Sequence, residues 1–374
     1  MPVMTLVYDP FARGEHPVGV RTETWTDAAR SCDLTVEIWY PASGDFAGQD
    51  LDPSTQDAFQ PVWGTESEPA DGLPPIRQTA VRDAEPCELP GQLIVFSHGY
   101  AGWRREATFV CTHLASHGYV VIGADHPEST SWEVDASLAA PDPIAREDSR
   151  LLMAAQRRGD VPFLVAEAER RGYGAPGDVG VTGISLGGWT TLIAPSVEPR
   201  VRVIAPMCPA GGISPIAPGR NVLAEELDLG WPADVQCLHM VADRDAWLPL
   251  YGHLGMFARF QSPSKMVILL NADHNHFVDD IPTSHTWYRE LTWDLAKAYP
   301  DGETNWAAIA QSIAPIEELV DPEVAYELWR GLTVAQFDAH LRGRPEARQL
   351  LDEQLRGEAE RIGARVLTIE GAAA

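Results

Sequence analysis

The sequence lacks several features that would place the protein in a membrane or on nucleic acid. No run approaches the roughly 18 or more apolar residues of a membrane-spanning helix. Basic residues are scarce: 28 Lys and Arg stand against 54 Asp and Glu, and the formal net charge is -26. A chain with that charge repels phosphate backbones and anionic bilayers. We therefore expect no nucleic-acid partner and no membrane span.

Cysteine is also sparse, and its pattern is typical of reduced thiols. Disulfide frameworks favour an even number of cysteines at regular spacing, whereas this chain has five without close spacing, namely Cys32, Cys87, Cys111, Cys208 and Cys237. A Cys32–Cys87 bridge stays open. The first 20 residues lack the basic and apolar regions of a secretory signal. These features predict a cytoplasmic protein, with a secreted mature form as the alternative.

The hydrophobic pattern that is present predicts an α/β domain. Two early stretches alternate polar and apolar residues, VGVRTETW and LTVEIWYP, as antiparallel edge strands do. Residues 42–90 are rich in Pro, Gly and Asp and predict loops that partly pack over the domain. Nearly continuous apolar runs then follow, typical of strands covered on both faces: QLIVFS, YVVIGAD, DVGVTGIS, RVRVIAPM, VQCLHMVA and KMVILLN.

Helix-like segments separate the early apolar runs. One is REATFVCTHLASHG, and another is DVPFLVAEAERRG, with Asp160 as its N-cap and Gly172 at its end. Alternating strands and helices predict a doubly wound, mostly parallel sheet, the α/β class. We assign the 374 residues to one domain, with N-terminal strands and a long loop over 1–90, a core over 91–280, a helical cap or lid over 281–330 and C-terminal helices over 331–374.

A candidate nucleophile lies between a predicted strand and a predicted helix. Residues 183–187 read Gly-Ile-Ser-Leu-Gly and match G-x-S-x-G. In a strand-to-helix setting this motif holds its serine on a strained turn, where the glycines allow the chain to approach closely. Alone the motif is weak and is better explained by an ordinary structural turn. Its setting favours Ser185 as a nucleophile.

An acid and a base follow in the order that such a serine requires. A serine needs a base within hydrogen-bond reach, oriented by a carboxylate. Asp243 and Asp245 come after VQCLHMVA, while His274 and His276 come after KMVILLN. Since ligands of such sheets bind at the carboxyl ends of the strands, we expect these side chains to meet Ser185. We favour Asp245 and His274, with Asp243 bracing the turn and His276 beside the pocket.

The sequence also offers an oxyanion hole and an apolar pocket. The amide of Leu186, after the nucleophile, is one candidate donor, and Tyr100, in the loop after QLIVFS, is the second. His98 in the same loop is interpreted as structural. Aromatic residues near these elements are candidates to contact substrate, although each is as consistent with core packing: Trp103, Trp132, Trp189 and Trp247.

Taken together, these motifs resemble the α/β-hydrolase superfamily, and within it the branch of the platelet-activating-factor acetylhydrolases, with cutinase-like and dienelactone hydrolases as relatives. The similarity runs through PVGVRTETW, IVFSHGYAGWR, HLASHGYVVIGADHPEST, GISLGGWTT and ADHNHFVDD. It implies a serine esterase acting on a small-molecule ester without a cofactor. By this resemblance Ser185 matches the nucleophile, His274 the base, and Tyr100 and Leu186 the oxyanion amides.

One departure and three alternatives accompany the resemblance. The mammalian acetylhydrolases have their acid after the strand that follows the nucleophile, where this chain reads APMCPAGG, so Asp245 is similar to the acid of cutinase-like enzymes instead. The same residues would also serve an acyltransferase or, in an idle form, a binding protein. A metal site on His274, His276, Asp279 and Asp280 is the remaining alternative. The sequence does not indicate an oligomeric state.

Overall fold

The fold is built on one large mixed sheet. The computed structural model describes residues 8–60, 74–87, 91–134 and 143–371. Ten strands form the main sheet in the order β12-β11-β10-β9-β8-β6-β7-β2-β1-β5, and β3 pairs with β4 in a small second sheet. The strands are β1 Val18–Asp27, β2 Cys32–Pro41, β3 Ala58–Phe59, β4 Ile76–Arg77, β5 Val81–Arg82, β6 Gln92–Ser97, β7 Val120–Ala124, β8 Ala175–Ile184, β9 Val201–Met207, β10 Gln236–Ala242, β11 Ser264–Leu269 and β12 Val366–Glu370.

The centre of the sheet is parallel and its N-terminal side is antiparallel. Strands β7, β6, β8, β9, β10 and β11 pair in parallel. Strands β1 and β2 form an antiparallel pair with ten residue partners, and β2 continues antiparallel onto β7. The six apolar runs of the sequence coincide with the parallel strands, and the two alternating stretches with the antiparallel pair. The predicted fold class is confirmed.

Helices cover both faces of the sheet. They are α1 Thr108–Ser116, α2 Pro143–Arg171, α3 Leu186–Val197, α4 Val222–Glu225, α5 Leu250–Phe257, α6 Ile281–Ala298, α7 Trp306–Ser312, α8 Pro322–His340, α9 Pro345–Gln349 and α10 Leu355–Arg361. One apolar cluster packs α1 and α8 against the sheet, through residues such as Leu114 and Phe337. The other packs α2 and α3 on the opposite face, through Leu164 and Leu192. Two buried layers are the reason why the central strands are apolar on both sides.

Helix α2 differs from the prediction. Asp160 is not an N-cap, since the helix begins at Pro143 and continues through Pro162 to Arg171. Pro162 cannot donate an intrahelical hydrogen bond, yet the helix persists. Asp160 is fully buried, and it accepts hydrogen bonds from Arg30 at 2.6 Å and His126 at 2.7 Å. Arg30 and His126 stabilise the buried carboxylate of Asp160. Both lie far from Asp160 along the chain, so the residues around Asp160 do not indicate this role.

The C-terminal region also contains an element that the sequence analysis missed. Residues 331–374 were predicted to be helical, but Val366–Glu370 form β12, which pairs antiparallel with β11 from Leu269↔Val366 to Lys265↔Glu370. Pairing with β12 satisfies backbone groups that β11 would otherwise expose at the edge of the sheet. Helices α8, α9 and α10 precede β12, with a π-helical turn at Leu350–Gln354 between α9 and α10.

The described part of the long N-terminal connection contains short elements of secondary structure. They include a short 3-10 helix at Gly44–Phe46 and strands β3 to β5; the remainder of the predicted loop, residues 61–73 and 88–90, lies outside the described residues. All five cysteines are thiols, so the Cys32–Cys87 bridge is not formed. Among the described residues, no helix combines the length and the apolar composition needed to cross a bilayer.

Trp329 ties helix α8 to the segment after β11, and its loss should destabilise the fold. The side chain is fully buried, its ring stacks on Phe277 with centroids 4.8 Å apart, and its Nε1 donates to the His276 carbonyl at 2.9 Å. We expect Trp329→Ala to lower the free energy of unfolding by about 3–5 kcal/mol, measured by urea denaturation. Trp293→Ala, at a Trp that is 38% exposed, is the matched control. Equal losses in both variants would contradict this account.

Candidate active site

Ser185 occupies a strained turn between β8 and α3. Its backbone has φ 57 and ψ -114, a conformation that is costly for a residue with a side chain. A Cβ on Gly183 would lie 2.5 Å from the Ser97 carbonyl oxygen, and one on Gly187 would lie 1.8 Å from the same atom. Both positions therefore require glycine. The turn is held by hydrogen bonds from Ser185 N–H to the Met207 carbonyl at 3.0 Å and from the Trp189 and Ala210 amides to the Ser185 carbonyl at 3.0 and 2.8 Å.

Asp245 and His274 form a hydrogen-bonded pair at the carboxyl ends of β10 and β11. His274 Nδ1 lies 2.6 Å from Asp245 Oδ2. The other carboxylate oxygen accepts the amides of Trp247 and Leu248 at 2.9 and 2.8 Å. These bonds fix the carboxylate, which is buried. Asp243 is directed elsewhere: its Oδ1 accepts an amide at 3.3 Å across the base of the loop.

The pairing determines the protonation of the imidazole. A carboxylate only accepts hydrogen bonds, so Nδ1 of His274 carries the proton and Nε2 of the neutral ring is left as an acceptor. Burial disfavours the charged ring, but the Asp245 carboxylate outweighs burial and holds the pKa of His274 well above its usual value. His274 therefore has the tautomer and the basicity that a general base requires.

Ser185 and His274 line one cavity together with both predicted oxyanion residues. Tyr100, from the loop after β6, and Leu186, at the start of α3, contribute to the wall. Leu186 is the first residue of its helix, where backbone N–H groups have no intrahelical acceptor. The Leu186 amide thus comes from a segment in which N–H groups can serve a ligand.

Two of the four predicted tryptophans line this cavity, and two lie elsewhere. Trp103 and Trp247 are in the wall. Trp189 is fully buried behind it, with its Nε1 donating to the Leu223 carbonyl at 2.8 Å. Trp132 is half-buried and is not among the lining residues. We do not retain Trp132 and Trp189 as substrate-contacting residues.

His276 is likewise directed away from the cavity. Its Nδ1 lies 2.8 Å from Asp273 Oδ1, and its Nε2 lies 3.2 Å from the Val320 carbonyl oxygen. Asp273 also pairs with His285 at 2.7 Å, and these partners lower the pKa of the Asp273 carboxyl. This buried group fixes the 3-10 turn at His274–Phe277. The ring of His276 supports the backbone that carries His274.

Helices α6 and α7 supply an aromatic wall that the sequence analysis did not identify residue by residue. Trp287, Tyr288 and Leu291 lie on α6, and Trp306 begins α7; all four line the cavity. The Tyr288 ring stacks on His274, with centroids 6.3 Å apart and planes 19° apart. The spacing of the three α6 residues, which places them on one face of a helix, is the sequence feature that could have indicated this wall. Helices α6 and α7, which lie within the segment predicted as a cap over 281–330, thus contribute to the cavity.

Two further polar residues lie beside the candidate acid–base pair. Glu106 lines the cavity, and its Oε2 accepts the Gly99 amide at 2.5 Å; desolvation raises its pKa to about 7. Cys208 follows β9, and its Sγ, an Asp245 oxygen and a His274 ring nitrogen all lie within 4.8 Å of one another. Burial raises the pKa of the thiol, so Cys208 is uncharged at neutral pH. Cys208 lies directly after a predicted strand, and this position is the sequence feature that could have placed it beside the site.

The geometry does not support the alternative metal site on His274, His276, Asp279 and Asp280. Asp279 accepts the Thr108 amide and hydroxyl at 2.8 and 2.6 Å, and so caps α1 from another part of the chain. Asp280 is the N-cap of α6. The donors therefore serve separate structural roles. Among the described residues, the cluster spaced for a metal ion is Cys208, Asp245 and His274.

Comparison with known proteins agrees with this architecture. Residues 73–156 match the family model described as platelet-activating factor acetylhydrolase, isoform II. A solved ferulic acid esterase from Streptomyces cinnamoneus superposes with a TM-score of 0.56 and 20% identity, over 95% of this chain and 96% of that chain. The chain has the α/β-hydrolase fold. The predicted resemblance to serine esterases of this fold is confirmed.

A curated relative is also similar to this chain in sequence. The bis(hydroxyethyl) terephthalate hydrolase of Streptomyces coelicolor is 25% identical over 240 residues. The alignment covers 64% of this chain and 64% of the relative, so the chain spans just under two thirds of that protein's length. Each of the three matched proteins or families is named for the hydrolysis of an ester.

Proposed function

We propose that this α/β-hydrolase cleaves carboxylic esters through an acyl-enzyme on Ser185. The observation that carries the proposal is the 2.6 Å Asp245–His274 pair, which shares a cavity with a serine held at φ 57 on a strand-to-helix turn. A serine hydroxyl is a poor nucleophile unless a base removes its proton. The names of the relatives support the same chemistry.

The proposed reaction has two halves that use the same groups. His274 Nε2 takes the proton of Ser185 as Oγ attacks the ester carbonyl, and the amides of Tyr100 and Leu186 hold the oxyanion. The tetrahedral intermediate collapses, the acyl–oxygen bond breaks, and His274 returns the proton to the leaving alcohol. Water then attacks the acyl-enzyme with His274 as base, and the acid leaves. Asp245 keeps the imidazole in the required tautomer throughout.

The aromatic wall supports an aromatic or similarly flat acyl group as substrate. Trp103, Trp247, Trp287, Tyr288 and Trp306 surround the space beside Ser185, and such surfaces favour stacked or edge-on rings. The two named relatives, a terephthalate hydrolase and a ferulic acid esterase, point the same way. We expect bis(hydroxyethyl) terephthalate and methyl ferulate to be cleaved with a higher kcat/KM than p-nitrophenyl octanoate.

Covalent labelling tests the nucleophile and the reaction class together. A fluorophosphonate probe should label the protein on Ser185, as located by peptide mass spectrometry, and the same preparation should release p-nitrophenol from p-nitrophenyl acetate. Labelling without turnover would indicate an idle scaffold or a transferase that excludes water. Turnover without labelling of Ser185 would contradict the proposed acyl-enzyme.

The pH dependence follows from the pKa of His274. The base acts only when neutral, so kcat/KM should fall as the pH drops through that pKa. Because Asp245 raises it, the acid limb of the profile should lie above about 6.5, the usual value for histidine. Profiles of p-nitrophenyl acetate hydrolysis between pH 5 and 9 would measure it. A rate that stays constant below pH 6 would exclude His274 as the base.

A further inference from the structure

A buried guanidinium lies directly behind the loop that carries Tyr100. Arg157, on α2, is fully buried. Its Nη1 donates to the His98 carbonyl at 2.9 Å, and its Nη2 donates to the Gly99 carbonyl at 3.3 Å. The same two nitrogens also donate to hydroxyl groups, including that of Ser129 at 2.9 Å, whereas Nε has no hydrogen-bond partner among the described residues. A single planar fork therefore holds two successive carbonyls of the loop.

His98 holds the same Gly99 carbonyl from a second direction. The Nε2 of His98 accepts the His126 amide at 3.0 Å, so the ring proton is on Nδ1. That Nδ1 donates to the Gly99 carbonyl oxygen at 2.7 Å. Burial keeps the pKa of His98 well below its usual value, so the ring is neutral and this tautomer persists. The Gly99 carbonyl thus accepts two side-chain N–H donors, in addition to the Gly102 amide at 3.4 Å.

The orientation of this carbonyl determines the orientation of the Tyr100 amide. In a planar trans peptide, C=O and N–H point in opposite directions, and the described chain has no cis peptide bonds. Since the Gly99 carbonyl faces Arg157 and His98, the Tyr100 N–H faces away from them. On the other side of Gly99, its own amide donates to Glu106 at 2.5 Å. The two peptide groups that flank Gly99 are therefore both held by hydrogen bonds.

Arg157 is itself fixed by a second Ser–His–Asp arrangement. Ser97 Oγ lies 2.8 Å from His126 Nε2, and His126 Nδ1 lies 2.7 Å from Asp160 Oδ2. These three residues are fully buried, so they cannot meet a substrate. Arg157 Nη1 donates to Ser97 Oγ at 3.0 Å, and Arg30 pairs with Asp160 at 2.6 Å. This network orders the guanidinium instead of catalysing a reaction.

The guanidinium keeps its charge at neutral pH. Burial lowers the pKa of Arg157 to about 9, while Asp160 and Glu106 act in the opposite direction. A charged donor makes stronger hydrogen bonds than a neutral one, by a factor of roughly two. Arg157 therefore holds the loop carbonyls through charge-assisted hydrogen bonds in the protein interior.

We propose that Arg157 is a positioning residue that, with His98, aims the Tyr100 amide into the oxyanion hole. The inference rests on the proposed function. Loss of one oxyanion donor typically costs about 10²–10³ in turnover. We expect Arg157→Lys, whose compact ammonium cannot bridge both carbonyls, to lower kcat for p-nitrophenyl acetate about 10²-fold with KM changed less than about threefold. Affinity for a trifluoromethyl ketone, which binds as an oxyanion, should fall in parallel.

The control variant is Arg342→Lys. Arg342 is a partly buried arginine that packs on the Tyr119 ring and pairs with Asp338 at 3.0 Å; it does not touch the oxyanion loop. It should keep the parental kcat and ketone affinity. The acid limb of the pH profile should stay in place in Arg157→Lys, since His274 is unchanged. A variant that was only destabilised would contain fewer active molecules, but each molecule that still reacts with the fluorophosphonate probe would bind the ketone as tightly as the parent.

The outcomes separate this inference from the proposed function. Parental kcat and ketone affinity in a folded Arg157→Lys would overturn the positioning role while leaving Ser185 chemistry intact. Full activity in Ser185→Ala would overturn the proposed function itself. Should Arg157→Lys fail to fold by circular dichroism, His98→Asn tests the same peptide from its other donor. Parallel losses of kcat and ketone affinity there support the inference, and parental values contradict it.

Discussion

Ser185→Ala should reduce the turnover of p-nitrophenyl acetate by at least about 10⁴-fold, the scale seen when a serine nucleophile is removed. Alanine cannot form the acyl-enzyme, whereas the oxyanion amides and the cavity persist. The residual rate should therefore remain above that of the buffer alone. The side chain of alanine is smaller than that of serine, so the strained turn at φ 57 tolerates it. Steady-state kinetics at saturating ester would measure the loss.

A matched serine on the same helix provides the control for this result. Ser196 lies near the end of α3, and its hydroxyl donates to the Ile193 carbonyl at 2.7 Å. Ser196→Ala should keep the parental turnover and bind the fluorophosphonate probe as the parent does. Ester turnover within tenfold of the parent in Ser185→Ala would show that another group attacks the carbonyl. The unfolding transitions of both variants should coincide with that of the parent.

The sequence allowed the candidate site to be predicted because its residues follow strands. Parallel strands place their carboxyl ends at one edge of the sheet, so residues directly after β8, β10 and β11 were expected to meet. Ser185, Asp245 and His274 each follow such a strand. The glycines around Ser185 are explained by backbone contacts under 3 Å at the turn. Strand order and one short motif were enough for this part of the molecule.

The remainder depends on contacts that lie far apart along the chain. Asp160 was interpreted as a helix cap from its neighbours, whereas its partners Arg30 and His126 lie 130 and 34 residues away. Trp189 lies close to Ser185 in sequence, but α3 directs its ring toward the core. Strand β12 could not be predicted from its own residues, because it forms by pairing with the edge of β11. Sequence proximity predicts which backbone is near the site, and packing determines which side chains face it.

Asp245→Asn should lower kcat about 10⁴-fold, by analogy with the loss of a triad carboxylate in other serine hydrolases. The asparagine amide can donate to Nδ1 of His274, which would favour the tautomer with its proton on Nε2 and leave no acceptor for the Ser185 proton. Loss of the carboxylate also removes the charge that raises the pKa of His274. The acid limb of the pH profile should therefore move to lower pH.

Asp243→Asn separates the acid from its neighbour in the same loop. Asp243 Oδ1 accepts one amide at 3.3 Å, whereas the His274 imidazole pairs with Asp245. An asparagine oxygen at position 243 therefore preserves the Asp243 contact. We expect a loss of less than about tenfold and an unmoved acid limb. If Asp243→Asn lost more activity than Asp245→Asn, the acid assignment would be reversed. Both substitutions remove one negative charge from the same turn. If the acid limb shifts in Asp245→Asn alone, the cause is therefore loss of the charge on Asp245 and not general damage to the loop.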